Sequence, residues 1–323
     1  MRRVIQFVCQ CSLALLLVIQ ASALPDSLVP MGQAVGIQLE SDGVMVVGFS
    51  ANPSAAAMAG IQKGDRICCV NGAEIAGSSD IQEAVAHCNG EFLTFTVLRG
   101  EETSQYAIMP TKTQDGYSLG LLIRDGAAGI GTITFYDPQT GRYGALGHGI
   151  SDYSGLIPLT GGLLTQATVA EVQPGTAGTP GALRGLYQSR QTIGTVEENL
   201  ACGIFGQLDG FSESDAAAAV PVADSREVQE GPAQILANVE ADRVCSYDVE
   251  IVKIYAARKA EGKNLMFRVT DPVLLSKTGG IVQGMSGSPI LQNGKLVGAV
   301  THVLVNDPTY GYGIFIETML EHS

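Results

Sequence analysis

Hydrophobic and polar residues alternate in the first part of the chain as they do in a small domain of strands and short helices. Residues 43–50 (GVMVVGFS) form an apolar run that contains three valines, and another apolar run lies between a Lys-Gly-Asp turn at 63–65 and an Asn-Gly hairpin turn at 71–72. Residues 78–88 begin with capping residues and place their apolar side chains on one helical face. The pattern predicts one compact domain over residues 30–111.

The remaining residues, 112–323, show a different pattern. Short apolar runs rich in β-branched residues recur, separated by glycine-containing turns, and long amphipathic helices are scarce. This spacing is typical of an all-β barrel or sandwich, so the chain as a whole is predicted to be mainly β. The polar, alanine-rich segment 210–232 follows neither period and is predicted to be an exposed loop.

Composition excludes several classes of function. Among 323 residues, 32 are acidic and 19 are basic, which gives a net charge of −13 that argues against nucleic acid as a partner. There is no tryptophan on which bases could stack. Five cysteines follow the N-terminal segment without metal-ligand spacing, and they do not form a recognisable disulfide framework: Cys68, Cys69, Cys88, Cys202 and Cys245.

The N-terminus has the order of an export signal. Arg2 and Arg3 precede an apolar stretch that includes LALLLVI at 13–19, and the small residues Ala21-Ser22-Ala23 follow. We expect residues 1–23 to direct export across the cytoplasmic membrane, with cleavage after Ala23. An uncleaved membrane anchor is the alternative, because the apolar stretch approaches the length that spans a bilayer.

The first domain resembles a PDZ domain. The resemblance rests on residues 59–72, with the arrangement AG-I-x-KGD-x-I-x-x-VNG. It implies that Val35, Gly36 and Ile37 form the loop and strand whose backbone N–H groups accept the carboxylate of a peptide, which would then add as an extra strand. The alternative is a PDZ fold that serves as an internal spacer or regulator and binds no free peptide.

A glycine-flanked histidine and a late Gly/Ser loop are the candidates for catalysis. His148 lies in GALGHGISD (144–152), and an imidazole can accept a proton because its ordinary pKa lies near neutral pH. Ser286 lies in GMSGSPI (284–290), where the backbone N–H groups of Gly284 and Ser286 can point at a developing oxyanion. Taken alone, each stretch also fits an ordinary glycine-rich turn.

The serine loop resembles the Gly-Asp-Ser-Gly-Gly-Pro nucleophile loop of chymotrypsin-like peptidases, and the match continues through GKLVGAV (294–300). The resemblance implies a double β-barrel in which Ser286 is the nucleophile. It places Thr301 where a serine usually helps to hold the catalytic acid, and His302 on the wall of the substrate cleft. Met285 departs from the pattern, because it stands in the place of the usual aspartate.

Over nearly its whole length the chain resembles the stage IV sporulation protein B peptidases of endospore-forming bacteria. The resemblance rests on AAGIGTITFYD (127–137), GALGHGISD (144–152) and GGIVQGMSGSPI (279–290). It implies a serine endopeptidase that cleaves its own chain and a membrane-associated regulator in the space between the two membranes around the forespore. That cleavage releases an intramembrane protease, which activates a late sigma factor.

The catalytic acid is less well defined than the serine and the histidine. The resemblance implies an aspartate fifteen positions before the serine, which is Asp271 in VTDPV. Such an acid would hold the imidazole in the correct tautomer. A turn or capping role for Asp271 is the alternative. The usual order of residues in a chymotrypsin-like barrel leaves four rivals open: Asp209, Asp224, Asp242 and Asp248.

Two further functions compete with this interpretation. The chain could be a PDZ-containing scaffold of the cell envelope whose barrel is catalytically inactive. A metallopeptidase is a poor alternative, since no His-Glu-x-x-His is present and the histidines and cysteines lack ligand spacing. The sequence therefore predicts no metal and no cofactor. The expected partners are a protein substrate, the chain itself in self-cleavage, and a peptide ligand of the PDZ domain.

Overall fold

A computed structural model describes residues 24–51, 53–152, 155–210, 217–255 and 262–321, without the side chains of residues 42 and 187–190. The predicted export signal, residues 1–23, lies outside the described residues. The strands are β1 (Ser27–Pro30), β2 (Ala34–Phe49), β3 (Arg66–Val70), β4 (Ala73–Glu74), β5 (Leu93–Arg99), β6 (Glu102–Ile108), β7 (Thr111–Thr113), β8 (Gly116–Ser118), β9 (Leu121–Tyr136), β10 (Arg142–Ala145), β11 (Ser151–Asp152), β12 (Gly155–Leu156), β13 (Leu159–Gln173), β14 (Ala182–Thr195), β15 (Glu198–Leu200), β16 (Gly203–Gln207), β17 (Val220–Pro221), β18 (Gly231–Glu240), β19 (Arg243–Ile254), β20 (Leu265–Val269), β21 (Pro289–Gln292), β22 (Lys295–Val303) and β23 (Tyr310–Phe315). The α-helices are α1 (Ala55–Met58), α2 (Ser78–His87), α3 (Pro272–Thr278) and α4 (Ile316–Leu320), and a 3-10 helix spans Ser225–Glu227. None of these helices is long and apolar enough to span a membrane.

The PDZ unit packs α1 and α2 against a small antiparallel sheet. Ser54 caps α1, because its hydroxyl oxygen accepts a hydrogen bond from the Ala57 N–H at 3.0 Å. Strand β3 lies between the second half of β2 and β5, and β6 follows β5 at the edge. The apolar faces of these elements form one core, which includes Val44, Ile67, Ile81, Phe95 and Ile108. The sequence periodicity of this region is thus explained by burial on one face.

Strands β2 and β9 belong to both structural units, since each is 16 residues long and runs from one unit into the other. The first part of β2, residues 34–40, pairs with residues 126–132 of β9. The second part, residues 45–49, pairs with residues 121–124 of β9. The predicted bounds of 30–111 and 112–323 therefore do not separate the two units. Residues 34–40 pair with peptidase strands although they lie within 30–111, and residues 121–124 complete the PDZ unit although they lie within 112–323.

Six strands form the first barrel of the peptidase region. They neighbour one another in the order β14, β13, β2, β9, β10 and β16. An isolated antiparallel bridge between Gly194 and Leu208 joins the two ends. Tyr143, Ile204 and Leu164 lie fully buried inside. His148 follows the end of β10, so this barrel positions the histidine.

The second barrel is closed by strands β18, β19, β20, β23, β22 and β21, in that order. Its interior is apolar, with Ile235, Phe267 and Ile290 among the fully buried residues. Ser286 immediately precedes β21, so the second barrel positions the serine. The prediction of a mainly β chain, with a small N-terminal unit of strands and short helices followed by two barrels, is confirmed.

The segment 210–232 differs from the predicted exposed loop in its described part, residues 217–232. Strand β17 pairs with β1, the side chain of Ala223 is buried, and residues 225–227 form a 3-10 helix. The residues that pack against the barrels follow neither the spacing of a strand nor that of a helix, so no period marks them in the sequence: Ala219, Val220, Val222, Ala223 and Val228.

Candidate active site

The loop that carries Ser286 is held rigidly between β22 and the start of β21. The Gly287 N–H donates to the Val300 carbonyl at 2.7 Å, and the Ser288 N–H donates to the Met285 carbonyl at 2.9 Å. The Met285 side chain is fully buried, which anchors the loop from below. Met285 stands where chymotrypsin-like peptidases usually have an aspartate. Its apolar side chain fills the core at this point, which the charged side chain of an aspartate could not do.

Gly287 is required by a close approach of two backbones. Its φ is +97°, and a Cβ at this position would overlap the Thr132 carbonyl and lie 2.6 Å from the Leu146 nitrogen. The loop that carries the serine thus lies directly against β9 of the first barrel. This contact brings the serine loop and the histidine loop together across the junction of the barrels.

Thr132 on β9 holds two carbonyl groups of the serine loop. Its N–H donates to the Ser286 carbonyl at 3.0 Å, and its hydroxyl donates to the Gly284 carbonyl at 2.7 Å. The N–H groups of Gly284 and Ser286 have no hydrogen-bond partner among the described residues. These are the two donors that the sequence predicts for an oxyanion hole, and both are free to bind a negatively charged oxygen.

The histidine loop turns sharply after β10. Gly147 has a φ of +67°, and a Cβ there would lie 2.9 Å from the Thr301 Cγ2 atom, so the loop packs tightly against β22. The glycines that flank His148 therefore allow this close packing. Half-buried His148 makes a hydrogen bond from Nδ1 to the Gly149 carbonyl at 3.0 Å. Since a carbonyl only accepts, Nδ1 carries the proton and Nε2 is left as the basic nitrogen.

Ser286 bonds to the neighbouring strand in this structure. Its hydroxyl donates to the Thr301 carbonyl at 2.8 Å, and no hydrogen bond joins it to His148. Rotation of the Ser286 side chain about its Cα–Cβ bond would release the Thr301 carbonyl and redirect the hydroxyl. The Thr301 hydroxyl itself donates to the Gly262 carbonyl at 2.9 Å, so among the described residues it contacts no acid, in contrast to the supporting role predicted for it.

His302 faces His148 at the cleft. The ring centroids are 5.2 Å apart and the planes are inclined by 37°. Desolvation of the packed part of the His302 ring, followed by the charges of His148 and Lys263, lowers its pKa to about 4. His302 is therefore neutral near pH 7 and lies beside the proposed base, where the sequence places a residue of the cleft wall.

Asp271 caps a helix in this structure. As the N-cap of α3, its carboxylate accepts hydrogen bonds from Val273 N–H at 2.8 Å and Leu274 N–H at 2.9 Å. The other carboxylate oxygen accepts a longer bond from the Asp248 N–H at 3.4 Å. No carboxylate lies within hydrogen-bonding distance of His148 in the described residues. The structure thus gives Asp271 the capping geometry that was the alternative to its role as the acid.

The rival aspartates are also engaged elsewhere or have no contact with the histidine. Asp224 caps the 3-10 helix and pairs with Arg226, which holds the pKa of its carboxyl well below the usual range. The Asp248 carboxylate accepts a hydrogen bond from Gln234 at 3.1 Å. Asp209 and Asp242 make no side-chain hydrogen bond in the described part of the chain. In the same part, no group of three or more His, Cys, Asp or Glu side chains is arranged to hold a metal ion.

The predicted peptide-binding loop does not have the geometry that peptide binding requires. Val35, Gly36 and Ile37 pair with β9 along one edge and with β13 along the other. Val35 is fully buried and Ile37 nearly so. A peptide cannot add as a strand where both edges are already hydrogen-bonded, so this assignment is corrected.

An open cleft of about 460 Å³ lies instead between α2 and the first residues of β9. Its lining includes Ile81, Val85 and Ala86 of α2, and the loop and strand at 118–123. Residues 121–124 pair with β2 along one edge only, and no described strand pairs with the other. The Asp125 carboxylate accepts hydrogen bonds from the N–H and hydroxyl of Ser78, which ties the N-terminus of α2 to β9 at one end of the cleft.

Comparisons with known proteins agree with the two units. The sequence profile described as SpoIVB peptidase S55 matches residues 115–320, and the profile described as PDZ domain matches residues 32–109. The first match spans well over half of the chain. The chain belongs to the SpoIVB peptidase S55 family. It is accordingly a serine peptidase that carries a PDZ domain.

Solved structures similar to this S55 peptidase are distant in sequence. The PDZ domain of an SdrC-like protein from Listeria monocytogenes is 22% identical, with 26% of this chain and 90% of that chain covered and a TM-score of 0.24. Rv3671c protease in an inactive form is 12% identical, with coverage of 58% and 79% and a TM-score of 0.33. A serine-to-alanine mutant of Rv3671c from M. tuberculosis, also inactive, is 12% identical, with coverage of 59% and 78% and a TM-score of 0.31. No curated protein matches the chain.

Two features of this S55 peptidase lie outside the residues predicted from the sequence: Thr132, and the loop that precedes β9. Thr132 lies in GIGTITF (129–135), a stretch whose alternating pattern predicts a strand but does not single out one residue. The loop Leu119-Gly120-Leu121 repeats the apolar-Gly-apolar element of residues 35–37. The strand order of the PDZ unit favours this second element over residues 35–37, because residues 121–124 pair with β2 along one edge only in the described part of the chain.

Proposed function

We propose that Ser286 is the nucleophile of this serine peptidase and that His148 is its general base. The observation that carries the proposal is the pair of unbonded N–H groups of Gly284 and Ser286 beside a serine hydroxyl, in a loop that Thr132 and Val300 hold in place. Fixed donors of this kind stabilise the oxyanion of an acyl-transfer reaction without reorganisation.

The proposed reaction begins with the hydroxyl of Ser286. The Ser286 hydroxyl turns from the Thr301 carbonyl, its oxygen forms a bond with the carbonyl carbon of the substrate, and its proton passes to His148 Nε2. The carbonyl oxygen becomes an oxyanion between the two N–H groups. The scissile C–N bond then breaks as His148 returns the proton to the leaving amine, and water releases the acyl group by the same steps in reverse.

The imidazole is oriented by main chain in this conformation. The Gly149 carbonyl accepts the Nδ1 proton, which fixes the tautomer that catalysis requires and leaves Nε2 basic. A backbone carbonyl is a weaker partner for an imidazolium than a carboxylate, because it carries only a partial charge. The predicted role of Asp271 as the acid is a separate proposal, which requires its carboxylate to leave the N-cap of α3.

The proposed substrates are the chain itself and a membrane-associated regulator of sporulation. Support comes from the family match and from the export signal predicted at residues 1–23. On this proposal the protein acts between the two membranes around the forespore, and its cleavage of the regulator releases an intramembrane protease that activates a late sigma factor.

The cleft between α2 and β9 is proposed to bind a peptide with a free C-terminal carboxylate. The support is the open edge of residues 121–124, the apolar lining that includes Ile81 and Val85, and the glycine-containing loop at 118–121. Such a peptide would add as one more strand, with its carboxylate against the loop and its last apolar side chain in the cleft.

The nucleophile is tested with the purified chain beginning at residue 24 and its Ser286→Ala variant. We expect the wild type to react with a fluorophosphonate probe and to produce fragments of itself, located by intact-mass spectrometry, and the variant to do neither. His148→Gln should lose both activities in the same way. Identical fragments from the folded variant would contradict the assignment, and the absence of labelling in folded wild type would favour the inactive scaffold.

The sporulation role is tested in an endospore-forming strain that lacks its own family member. We expect the full chain to restore a reporter of the late sigma factor and Ser286→Ala to fail at equal protein level. Restoration by the variant would show that the role does not depend on cleavage.

A further inference from the structure

We propose that Thr132 is a positioning residue that keeps the oxyanion hole of this peptidase open. The inference rests on the proposed role of Ser286. Thr132 lies on the first barrel, whereas both carbonyls that it holds belong to the serine loop of the second barrel. Through Thr132, the first barrel therefore restrains the backbone of the serine loop in the second barrel.

The two hydrogen bonds act on the residues that supply the oxyanion donors. A carbonyl that is held by a hydrogen bond cannot rotate with its peptide plane. The Thr132 hydroxyl fixes the peptide plane that follows Gly284, at 2.7 Å, and the Thr132 N–H fixes the plane that follows Ser286, at 3.0 Å. The Ser286 N–H lies on the peptide plane between these two held planes, and the Gly284 N–H lies on the plane just before them. Both donors are therefore borne by backbone whose neighbouring planes cannot turn freely.

Burial makes the hydroxyl bond effective. Thr132 is 1% exposed, so water does not compete for its hydroxyl. Without that donor, the carbonyl of half-buried Gly284 loses its partner on the first barrel, and its peptide plane turns toward another donor. The nearest change that satisfies it is a rotation of the loop, which moves the Gly284 N–H out of its position in the hole.

The strand offers a matched control two residues along. Thr134 lies on the same strand and is fully buried, and its hydroxyl has no hydrogen-bond partner in the described part of the chain. Substitution of either threonine by valine preserves the shape of the side chain and removes one hydroxyl. The two variants thus differ in whether a hydrogen bond to the serine loop is lost.

The experiment compares the variants Thr132→Val, Thr132→Ser and Thr134→Val in a chain of residues 24–323. Loss of a direct oxyanion donor lowers kcat by about 10²- to 10³-fold, so loss of a group that positions one should lower it by about 10- to 100-fold. We expect this fall in kcat for Thr132→Val, with KM for a peptide substrate changed less than about threefold. Thr132→Ser, which keeps the donor, and Thr134→Val should stay near wild-type kcat.

A second measurement separates positioning from stability. Affinity for a peptide aldehyde, which forms a tetrahedral adduct with the serine, should fall in Thr132→Val in parallel with kcat, whereas affinity for a non-covalent product peptide should not. A Thr132→Val variant with a lower Tm and unchanged kcat would overturn the inference, as would equal losses in Thr132→Val and Thr132→Ser. If folded wild type is not labelled at Ser286, the proposed function itself has failed.

Discussion

At the scale of single residues, Asp271 has two possible roles that one pair of substitutions separates. Its carboxylate caps α3 through the N–H groups of Val273 and Leu274. Asparagine retains an oxygen that can accept these bonds, whereas alanine does not, and loss of an N-cap costs about 1 kcal/mol. If Asp271 only caps, Asp271→Asn keeps full activity and Asp271→Ala lowers the free energy of unfolding by about that amount.

The contrary result is equally distinct. Removal of the acid from a serine peptidase triad lowers kcat by about 10⁴-fold because the histidine takes the wrong tautomer. A loss of that size in Asp271→Asn, at unchanged Tm, would establish Asp271 as the acid and require a conformation other than the one described above. Peptide hydrolysis and thermal unfolding of both variants decide the matter.

His302 is predicted to make the stability of the protein depend on pH. Its pKa is lowered to about 4 in the folded state, against about 6.5 for an unperturbed histidine. Between these values the unfolded chain binds more protons, so stability is lost as the pH falls from about 6.5 toward 4. In His302→Gln the fall in Tm over this window should be smaller, as measured by thermal unfolding at several pH values; an identical slope would contradict the shift.

How much of the site the sequence predicts depends on how local each feature is. Ser286, Gly284 and His148 stand in short stretches whose glycines carry the signal, and the structure finds these stretches next to one another across the barrel junction. Thr132 acts only through residues some 150 positions away, and no pattern along the chain records such a contact. The same holds for Asp271, whose position relative to the serine in sequence says nothing of where its carboxylate points.

At the scale of elements, the peptide-binding role predicted for residues 35–37 was wrong because a short sequence pattern does not reveal strand pairing. An apolar-Gly-apolar run predicts a strand that begins at a glycine, but it does not say which strands pair with it. The periodicity of the PDZ helices and strands, by contrast, follows from burial against a single core and was predictable. Pairing partners such as β13 arise from the barrel, more than 100 residues further along the chain.

The cleft of the PDZ unit leads to a prediction about helix α2. Ala86 is exposed, lines the cleft and lies toward the end of α2 opposite to Ser78, which Asp125 holds. Ala86→Glu should therefore place a negative charge near the terminal carboxylate of a bound peptide and weaken binding by about tenfold or more, since like charges repel in a partly desolvated site.

Binding is measured by fluorescence anisotropy with a labelled peptide that ends in an apolar residue. The same peptide with an amidated C-terminus should bind weakly to wild type. Glu83→Gln, on the same helix and outside the cleft lining, is the control and should bind as wild type does. Equal affinity of the free and amidated peptides would show that this cleft does not recognise a carboxylate.

At the scale of the whole molecule, the peptidase region is not complete without the residues that precede the PDZ unit. Removal of residues 24–111 deletes β1 and β2, and β2 lies between β9 and β13 in the first barrel. Fully buried Val35 and nearly buried Ile37 and Leu39 would be lost from its core. We predict that a fragment of residues 112–323 does not fold cooperatively.

We test this by comparing the circular dichroism and thermal unfolding of the fragment with those of the chain of residues 24–323. A synthetic peptide of residues 24–49 added to the fragment is a sharper test, because it supplies the missing strands and should restore part of the cooperative transition. A fragment that unfolds cooperatively and hydrolyses peptides by itself would contradict the prediction.

The length of β2 and β9 also governs when the site can form during synthesis. Residues 34–39 leave the ribosome early, but their partners at 126–132 and 162–166 are made roughly a hundred residues later. Pairings so distant in sequence make folding slow, because the closure entropy of long loops must be met before the contacts form. Thr132 reaches the serine loop only after residues 284–288 have been made. The nascent chain therefore cannot assemble the proposed oxyanion hole before almost all of it has been synthesised, so the proposed cleavage of its own chain cannot begin until translation is nearly finished.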